Sequence, residues 1–520
     1  MMKLVMAAIC AVTLVFSPVV GAQTPPAAPP IARLLTVALP IDPQTVDPTT
    51  NTANTAAIIM QNVFETLYAY DADWRLTPLL ATTLPVYTEG GRRMTIPLRA
   101  GVKFHNGATM TAADVVASIQ RWMRLSIRGR LAAESIETVT ASGPLEVTLS
   151  LKEPNALIAN MLAFFNAAMV VMPEATAQAT MAGPLTNAAD FIGTGPFRFS
   201  ERRADQYVRL TRFEDYVPDE RPFSGYTGRR EAMVQELRFV PVPNAGTRLQ
   251  SILSGQYDVA DNVPTEFVDR IRRNATADAL VVKWSGWIQM VMNTRQGPTQ
   301  DMRVRQAVQA AMDPTAIMTA AFGNAEFFGI GGSLYPTGAP LHSTAGIERY
   351  NTRDQARARQ LLAAAGYNGQ PFRIITSQQY DFIYKAALVA ADNLRAVGMT
   401  VEIVLMDWAS VLERRNNPAI WEAFFTFHNF VPDPALITFM NPSFPGWWNT
   451  PAKQEALAAF TGTLDEAARV TAWHRLQGVM LEEAATITVG SYYGLMAYNR
   501  RVRGLQPFLQ TPYFNVSNGR

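Results

Sequence analysis

Apolar residues recur at helical spacing in the segment after Thr111, and this pattern predicts an amphipathic helix. The spaced apolar residues are Val115, Val116, Ile119, Trp122 and Met123. Thr111 is expected to cap the helix, because Asp114 lies three residues further on and completes a capping-box-like start near the positive end of the helix dipole. Just before the cap, Asn106-Gly107 tolerates left-handed backbone conformations and predicts a tight turn at the end of a strand.

The first part of the chain alternates between predicted strands and helices. Residues 33–39 are predicted to form a strand, and the proline-punctuated residues 41–48 a loop that cannot continue a sheet. Residues 56–68 are predicted to form a helix.

The second half of the chain contains a βαβ pattern. Residues 372–376 and 400–406 are predicted as strands, and 382–397 between them as a helix that ends at Gly398. This order predicts a parallel strand pair and an α/β fold.

The N-terminus has the pattern of a secretory signal. Residues 1–22 contain one positive charge at Lys3, an apolar stretch and small residues before a cleavage site, and residues 23–32 are predicted as a disordered leader rich in Pro and Ala. The apolar stretch is shorter than the roughly 20 residues that a membrane span needs. Cys10, the only cysteine, lies in the segment to be removed, so the mature chain is expected to contain no disulfide. A lipid anchor on Cys10 is the alternative interpretation.

Composition indicates a large globular protein with more than one domain. The chain has 520 residues, of which 48% are hydrophobic, and this length predicts two or three domains. The formal net charge is only +2, without a basic stripe, so nucleic-acid binding is not expected.

The sequence offers little for catalysis or metal binding. Its histidines, His105, His342, His428 and His474, are widely separated. There is no paired-cysteine or His-Glu-x-x-His spacing for zinc, and no Gly-x-Ser-x-Gly segment. We therefore expect no enzyme activity, no metal site and no cofactor.

Several segments resemble, in the same order, the family 5 extracellular solute-binding proteins, the peptide, opine and nickel-chelate receptors of ABC importers. The matching segments are residues 64–67, 98–118, 192–199, 251–260, 301–308 and 350–367. The resemblance extends from about residue 34 to the C-terminus. Although residues 192–199 are rich in glycine, their spacing is not that of a phosphate loop, and a structural turn is expected.

The resemblance implies an α/β, two-lobed periplasmic binding protein fold of type II, with an extra subdomain and a hinge of two crossovers. Lobe I would comprise residues 33–287, with the subdomain at about 71–185. Lobe II would comprise 288–491, and 492–520 would return to lobe I. The crossings are expected near 287–293 and 490–493.

The second lobe departs from the family pattern at the position that matters for peptide ligands. In residues 426–434, Asp433-Pro434 keeps the family's terminal pair, but Phe427 replaces the usual tryptophan. Phe430 stands where peptide receptors carry the acid that pairs with the ligand's amine. A buried ammonium without a counter-charge is costly, so this change argues against a standard peptide receptor.

The resemblance also implies a set of ligand-binding residues. The candidates are Thr52, Asn54, Trp287, Trp408, Arg415, Phe427, His428, Phe430 and Tyr492. Each has a structural alternative: the aromatic residues are common in cores, Arg415 is either a partner for a ligand carboxylate or a solvated helix residue, and His428 is either a ligand contact or a structural histidine.

We therefore expect a monomeric periplasmic receptor that closes around a small polar organic solute and delivers it to an inner-membrane ABC permease. The solute would be an opine, an amino-acid conjugate or an atypical peptide. A nickel-chelate receptor is the alternative within the family. A secreted hydrolase and a periplasmic chaperone-like module are the alternatives outside it.

Overall fold

The computed structural model describes residues 32–43 and 45–519. The predicted signal peptide at 1–22, with Cys10, and the predicted leader up to residue 31 lie outside the described residues. In the described part, no helix combines the length and the apolar character that a bilayer crossing requires.

Strands and helices alternate along the chain. The strands are β1 (Ala32–Leu39), β2 (Tyr68–Tyr70), β3 (Leu76–Pro78), β4 (Val86–Thr88), β5 (Arg93–Pro97), β6 (Ile136–Gly143), β7 (Glu146–Leu151), β8 (Phe197–Arg203), β9 (Tyr207–Arg212), β10 (Val234–Pro241), β11 (Val259–Ala260), β12 (Ala277–Met292), β13 (Phe328–Gly329), β14 (Pro371–Thr376), β15 (Thr400–Leu405), β16 (Ala423–Asn429), β17 (Thr486–Asn499), β18 (Val502–Arg503) and β19 (Ser517–Asn518). The helices are α1 (Asn54–Met60), α2 (Ala112–Leu125), α3 (Ile127–Ser135), α4 (Leu157–Met161), α5 (Glu174–Ala179), α6 (Ala245–Leu253), α7 (Val268–Arg272), α8 (Met302–Ala311), α9 (Pro314–Phe322), α10 (Gln355–Ala364), α11 (Asp381–Arg395), α12 (Trp408–Arg414), α13 (Pro451–Gly462) and α14 (Glu466–Glu483).

The predicted turn and helix around Thr111 are confirmed, but the strand predicted to lead into the turn is wrong, because β5 already ends at Pro97 and only an isolated bridge joins Lys103 to Thr109. Gly107 has a φ of +88°, and the side-chain oxygen of Asn106 accepts a hydrogen bond from the amide of Ala108 at 3.1 Å, which closes the turn. The amide of Thr111 donates to Asp114 Oδ2 at 2.8 Å at the start of α2. This helix packs with β6 and β7 of a separate sheet, ordered β4-β5-β7-β6.

The predicted helix 56–68 is wrong beyond Met60, because α1 ends there and Tyr68 belongs to β2. The carbonyls of Asn62 and Val63 accept hydrogen bonds from the amides of Phe197 (3.0 Å) and Gly195 (2.9 Å), so this backbone serves as a docking edge. A Cβ on Gly195 would lie 2.7 Å from the Asn62 carbonyl oxygen. The glycines of residues 192–199 therefore permit close backbone packing, as the structural-turn interpretation expects.

The predicted βαβ unit is confirmed in the second half of the chain. Strand β14 pairs in parallel with β15 from Pro371 opposite Thr400 to Thr376 opposite Leu405. Helix α11 connects them, and Gly398 follows it with a φ of +93°.

One main sheet connects the two halves of the molecule. Its order is β15-β14-β16-β12-β17-β11-β1-β10-β9-β8, with β13 paired to β17 off this path. We call the side with β11, β1 and β10, together with the β4-β5-β7-β6 sheet, lobe I. We call the side with β16, β14 and β15 lobe II. The long antiparallel strands β12 and β17 pass from one lobe to the other.

The pairing of β12 with β17 is interrupted between Val282 and Gly286. Within this bulge Trp284 has a φ of +58°, and the Ser285 hydroxyl donates to the Val282 carbonyl at 3.0 Å and accepts from the Gly494 amide at 3.0 Å. The irregularity lies slightly before the predicted first crossing. The lobe boundaries given above stay predictions.

Candidate functional site

Two adjoining cavities lie between lobe I and lobe II. The first, of about 390 Å³, is lined in part by Asp261, Ser285 and Tyr492, and we call it the Asp261 cavity. The second, of about 820 Å³, is lined in part by Arg128 and His428, and we call it the Arg128 cavity. Thr52, Asn54 and Asn429 line both cavities. Each volume is in the range of pockets that hold small organic molecules.

The structure brings five of the predicted site residues to these cavities. They are Thr52, Asn54, His428, Phe430 and Tyr492. Thr52 and Asn54 come from the loop after β1, whereas the others come from β16, the segment that follows it, and β17. The site is thus assembled from segments that are far apart in the sequence.

Hydrogen bonds from lobe I hold the loop that carries Thr52 and Asn54. The carbonyl of Thr52 accepts from Asn166 Nδ2 at 2.6 Å, and Asn54 Oδ1 accepts from Gln510 Nε2 at 3.2 Å. Asn51 Nδ2 donates to the Thr45 carbonyl at 2.6 Å. The side chain of Thr52 is exposed, so its hydroxyl is available on the cavity wall.

His428 is a neutral imidazole on the lobe II wall. Its Nδ1 lies 3.0 Å from the Thr438 hydroxyl, and its buried Nε2 has no hydrogen-bond partner among the described residues. Burial, assisted by the nearby Arg415, lowers the pKa of His428 to about 4. A solute in the Arg128 cavity would therefore meet a ring that carries no charge at neutral pH.

Arg415 lies beside His428 and is half-buried. Its guanidinium is 5.2 Å from the centre of the Phe444 ring and 5.7 Å from that of Phe424. Burial lowers its pKa, and its Nε has no partner among the described residues. This surrounding differs from that of a solvated helix residue.

Tyr492 rests on a group of aromatic rings from lobe II. Its hydroxyl donates to Asn429 Oδ1 at 3.2 Å, and its ring stacks on that of Phe322 with centres 6.0 Å apart. The Phe427 ring lies 6.4 Å from Tyr492 and 6.3 Å from Trp408. Phe427 and Trp408 thus belong to the aromatic group that supports Tyr492 on the side of lobe II. Burial raises the pKa of the Tyr492 hydroxyl well above its ordinary range.

Comparison with known proteins identifies the family. The sequence profile described as "Bacterial extracellular solute-binding proteins, family 5 Middle" matches residues 75–447. The chain belongs to this family. Family 5 is defined by solute binding and not by catalysis. In the part of the chain that the structure describes, no group of three His, Cys, Asp or Glu side chains is placed to hold a metal ion.

Relatives of this family 5 protein cover most of its length. It is 25% identical over 482 residues to the probable peptide ABC transporter periplasmic-binding protein y4tO of Sinorhizobium fredii, which spans 89% of each chain. It is 26% identical to the glutathione-binding protein GsiB of Pectobacterium atrosepticum over 70% of this chain and 67% of that protein.

Solved structures confirm the predicted two-lobed α/β fold. AgaA from Agrobacterium tumefaciens R10, in complex with agropinic acid, superposes with a TM-score of 0.71 at 24% identity, covering 94% of this chain and 99% of AgaA. The unliganded open form of the periplasmic murein tripeptide-binding protein MppA superposes with a TM-score of 0.75 at 18% identity, covering 94% of this chain and 97% of MppA.

This family 5 protein has an apolar wall where a charged partner for a peptide amine is expected. Phe430 is only 1% exposed, and its ring centre lies 4.4 Å from that of Trp74 and 5.3 Å from that of Trp287. Trp287 is fully buried and donates its indole N–H to the Leu334 carbonyl at 2.8 Å. Trp287 therefore lies behind Phe430 in the core.

Asp433, the acid of the Asp433-Pro434 pair, is occupied within the protein. Its carboxylate is fully buried, forms an ion pair with Arg469 and accepts a hydrogen bond from the Ala435 amide at 2.9 Å. It caps the short 3-10 helix that begins at Pro434. Asp433 thus stabilises the cavity wall.

Two charged residues of the cavities are absent from the sequence-based candidates. Asp261 follows β11, and burial raises the pKa of its carboxyl to about 6 against the opposing effects of the Asn262 amide and Arg248. Arg128 belongs to α3, and burial lowers its pKa to about 10. Asp261 could have been found because ligands of α/β sheets bind outside the carboxyl ends of strands. No comparable signal marks Arg128.

Proposed function

We propose that this protein is the periplasmic receptor of an ABC importer, which captures a small polar organic solute between its lobes and delivers it to the inner-membrane permease. The observation that carries the proposal is the pair of adjoining cavities between the loop of Thr52 and Asn54 in lobe I and residues 428–430 in lobe II. The relative named as a probable peptide ABC transporter periplasmic-binding protein supports the link to an importer.

The solute is an opine, an amino-acid conjugate or an atypical peptide. The apolar Phe430 and the internally paired Asp433 disfavour the standard recognition of a peptide amine by lobe II. Agropinic acid in AgaA and glutathione in the name of GsiB are examples of such solutes in similar proteins.

Polar atoms of both lobes contact the solute in this proposal. Thr52 and Asn54 act from lobe I, while His428, Asn429 and Tyr492 act from the opposite wall. The remaining candidates pack behind the residues that line the cavities and do not contact the solute themselves. They are Trp287, Trp408, Arg415 and Phe427.

Closure about β12 and β17 makes the complex recognisable to the permease. Trp74 of lobe I stacks on Phe508, with ring centres 4.5 Å apart, and its ring is tilted against that of Phe430 at 4.4 Å, so it forms an apolar contact across the lobes. A solute shifts the equilibrium towards the closed form only if it binds that form more tightly.

A thermal-shift screen of the mature chain from Gln23 tests the proposal, with peptides, opines, amino-acid conjugates, sugars and nickel chelates as probes. A ligand that binds only the folded state raises the melting temperature. We expect a saturable increase with one chemical class and a decrease in the radius of gyration on binding. Asn429→Ala should abolish the shift, whereas Asn368→Ala, at an exposed position, should retain it.

The absence of a shift with every class, when mass spectrometry finds no copurified solute, would contradict the proposal. A nickel chelate is the second candidate, because Nε2 of the neutral His428, which has no hydrogen-bond partner in the described part of the chain, can coordinate an ion brought by its chelator. A shift with nickel chelates alone, lost in His428→Ala, would favour that candidate.

A further inference from the structure

We infer that the solute carries both a cationic amine and a carboxylate, with Asp261 binding the amine and Arg128 binding the carboxylate. The inference rests on the proposed function and deepens it, because it assigns charge recognition to lobe I. Two oppositely charged side chains on adjoining cavity walls carry it.

Among the described residues, no side chain forms a hydrogen bond or an ion pair with the Asp261 carboxylate, although the Asn262 amide and the charge of Arg248 act on it. Its backbone amide donates to the Ala38 carbonyl at 3.0 Å, which fixes the residue at the end of β11. Arg248 donates to the main-chain carbonyls of Asp261 and Asn262, at 3.2 Å and 2.6 Å, and forms no ion pair with the carboxylate among the described residues. The carboxylate is therefore available to a cation in the Asp261 cavity.

Arg128 presents the opposite charge in the Arg128 cavity. Its Nε donates to the Asn166 carbonyl at 2.9 Å and its Nη2 to Asn166 Oδ1 at 3.2 Å, while the guanidinium lies 4.9 Å from the centre of the Phe164 ring. In residues 32–43 and 45–519 no carboxylate lies within salt-bridge distance of it. The guanidinium is thus held in one orientation without its charge being neutralised.

The other cavity residues do not compensate these charges. Among the described residues that line the two cavities, Asp261 is the only carboxylate and Arg128 the only guanidinium. His428 is neutral, and Asn429 and Tyr492 contribute uncharged polar atoms. Lobe II therefore closes over a solute whose charges are matched by lobe I.

The wall beside Arg128 also indicates an organic portion in the solute. Ile127 and Leu131 of α3 are 62% and 43% exposed, and both line the Arg128 cavity. Large exposed apolar side chains in a groove gain from contact with a hydrocarbon group. An amino-acid conjugate has an amine, a carboxylate and a hydrocarbon group that can contact the two charges and this apolar surface. A neutral sugar can pair with neither charge.

Unpaired charges in a partly desolvated cleft favour a ligand of opposite charge. Removing one partner of a close, desolvated ion pair commonly costs a complex 2 to 5 kcal/mol, which corresponds to at least about 30-fold in affinity. The expected contribution of each residue is therefore large enough to measure separately.

The test uses matched probes with known charges: glutathione and a set of dipeptides, each free, N-acylated and blocked at every carboxyl group. Calorimetric titration of the mature chain is expected to show preference for the free forms. Asp261→Asn should lower affinity for the free form by at least about 30-fold, with little change for the N-acylated form. Arg128→Gln should lower affinity for the free form by a similar factor, with little change for the carboxyl-blocked form.

Controls separate these effects from damage to the fold. Asp269→Asn and Arg130→Gln remove the same charges at exposed positions of lobe I and should leave affinity unchanged. Circular dichroism of each variant checks folding, and Asp261→Glu and Arg128→Lys should restore part of the affinity.

The outcomes distinguish this inference from the proposed function. If a neutral solute binds and neither variant changes its affinity, the receptor function stands and the inference is overturned. Equal losses for free and blocked probes would also overturn it, because they would indicate structural effects. If no solute of any class binds, the proposed function and the inference fail together.

Discussion

Two carboxylates at opposite ends of the short strand β11 differ in their partners: one is paired within the protein and the other lines a cavity. Asp258, before the strand, is fully buried and accepts hydrogen bonds from the amide and hydroxyl of Thr36 at 2.9 Å and 2.8 Å. It also pairs with Arg501, whose Nε lies 3.1 Å away. Asp261, after the strand, receives no such side-chain hydrogen bonds from the described residues and lines a cavity.

The difference shows which charge belongs to the fold and which is left for a ligand. Asp258 joins β1, β11 and the chain after β17, so its charge is used entirely within lobe I. Asp261 retains a raised pKa because nothing compensates its burial fully. A buried carboxylate without a full set of partners is unfavourable, and proteins keep such groups mainly at functional sites, where a bound ligand can pair with the charge.

Removal of the paired carboxylate, Asp258, should have the largest effect on stability. Asp258→Ala removes the acceptor of Thr36 and the carboxylate partner of Arg501, and we expect the free energy of unfolding to decrease by about 3 to 4 kcal/mol. Urea unfolding followed by circular dichroism measures the change. Asp278→Ala, which removes a partly exposed partner of Arg500, should cost less than about 1 kcal/mol. Equal losses in the two variants would show that the burial of Asp258 carries no special stability.

The same pair of residues shows what the sequence could predict. Residues 251–260, which include Asp258, match the family in the sequence, and they fold as the end of α6 followed by β11. The sequence could not predict which of the two carboxylates is paired, because the partner comes from a distant part of the chain. Arg501, which pairs with Asp258, is 243 residues away from it.

Local patterns predicted α2 and the βαβ unit well, because their caps and apolar spacing lie within a few residues. Helix α1 was predicted to extend too far, since the backbone just after it, at Asn62 and Val63, accepts hydrogen bonds from residues 197 and 195, which are distant in the sequence. Aromatic residues were ambiguous for a similar reason. The sequence offers the same argument for Trp287 and for Tyr492, since each is an aromatic residue near a predicted crossing. In the structure Trp287 is buried behind Phe430, whereas Tyr492 lines a cavity.

The second prediction concerns the pH dependence of the unliganded protein. The pKa of Asp261 is about 6 in the folded state, above the ordinary value of about 3.9, so the folded state binds the proton more tightly than the unfolded state. Stability from this group therefore falls as pH rises from about 4 to about 6 and stays low above that. Asp261→Asn should be more stable than the natural chain by about 2 kcal/mol at pH 8, with no difference near pH 4.

Urea titrations at pH 4, 5, 6 and 8 measure this difference, with Asp269→Asn as the exposed control. A constant offset between Asp261→Asn and the natural chain at every pH would contradict the prediction, since it would not arise from titration. A decrease in stability at pH 8 would show that the carboxylate has a structural partner, and would remove the contrast with Asp258.

The smallest expected effect tests whether Asp258 is held by charge alone or also by geometry. Arg501 directs Nε and Nη2 at Asp258 Oδ1, and Nε also donates to Asn518 Oδ1 at 3.1 Å. Arg501→Lys keeps the positive charge but cannot reproduce this fork, so we expect a loss of about 1 kcal/mol in urea unfolding. Arg500→Lys provides the neighbouring control, because Arg500 is 47% exposed and its pairing with Asp278 should tolerate the change within about 0.5 kcal/mol. If both lysine variants are equally stable, the positive charge at position 501, and not the geometry of its guanidinium, contributes to holding Asp258 beside the hydrogen bonds from Thr36.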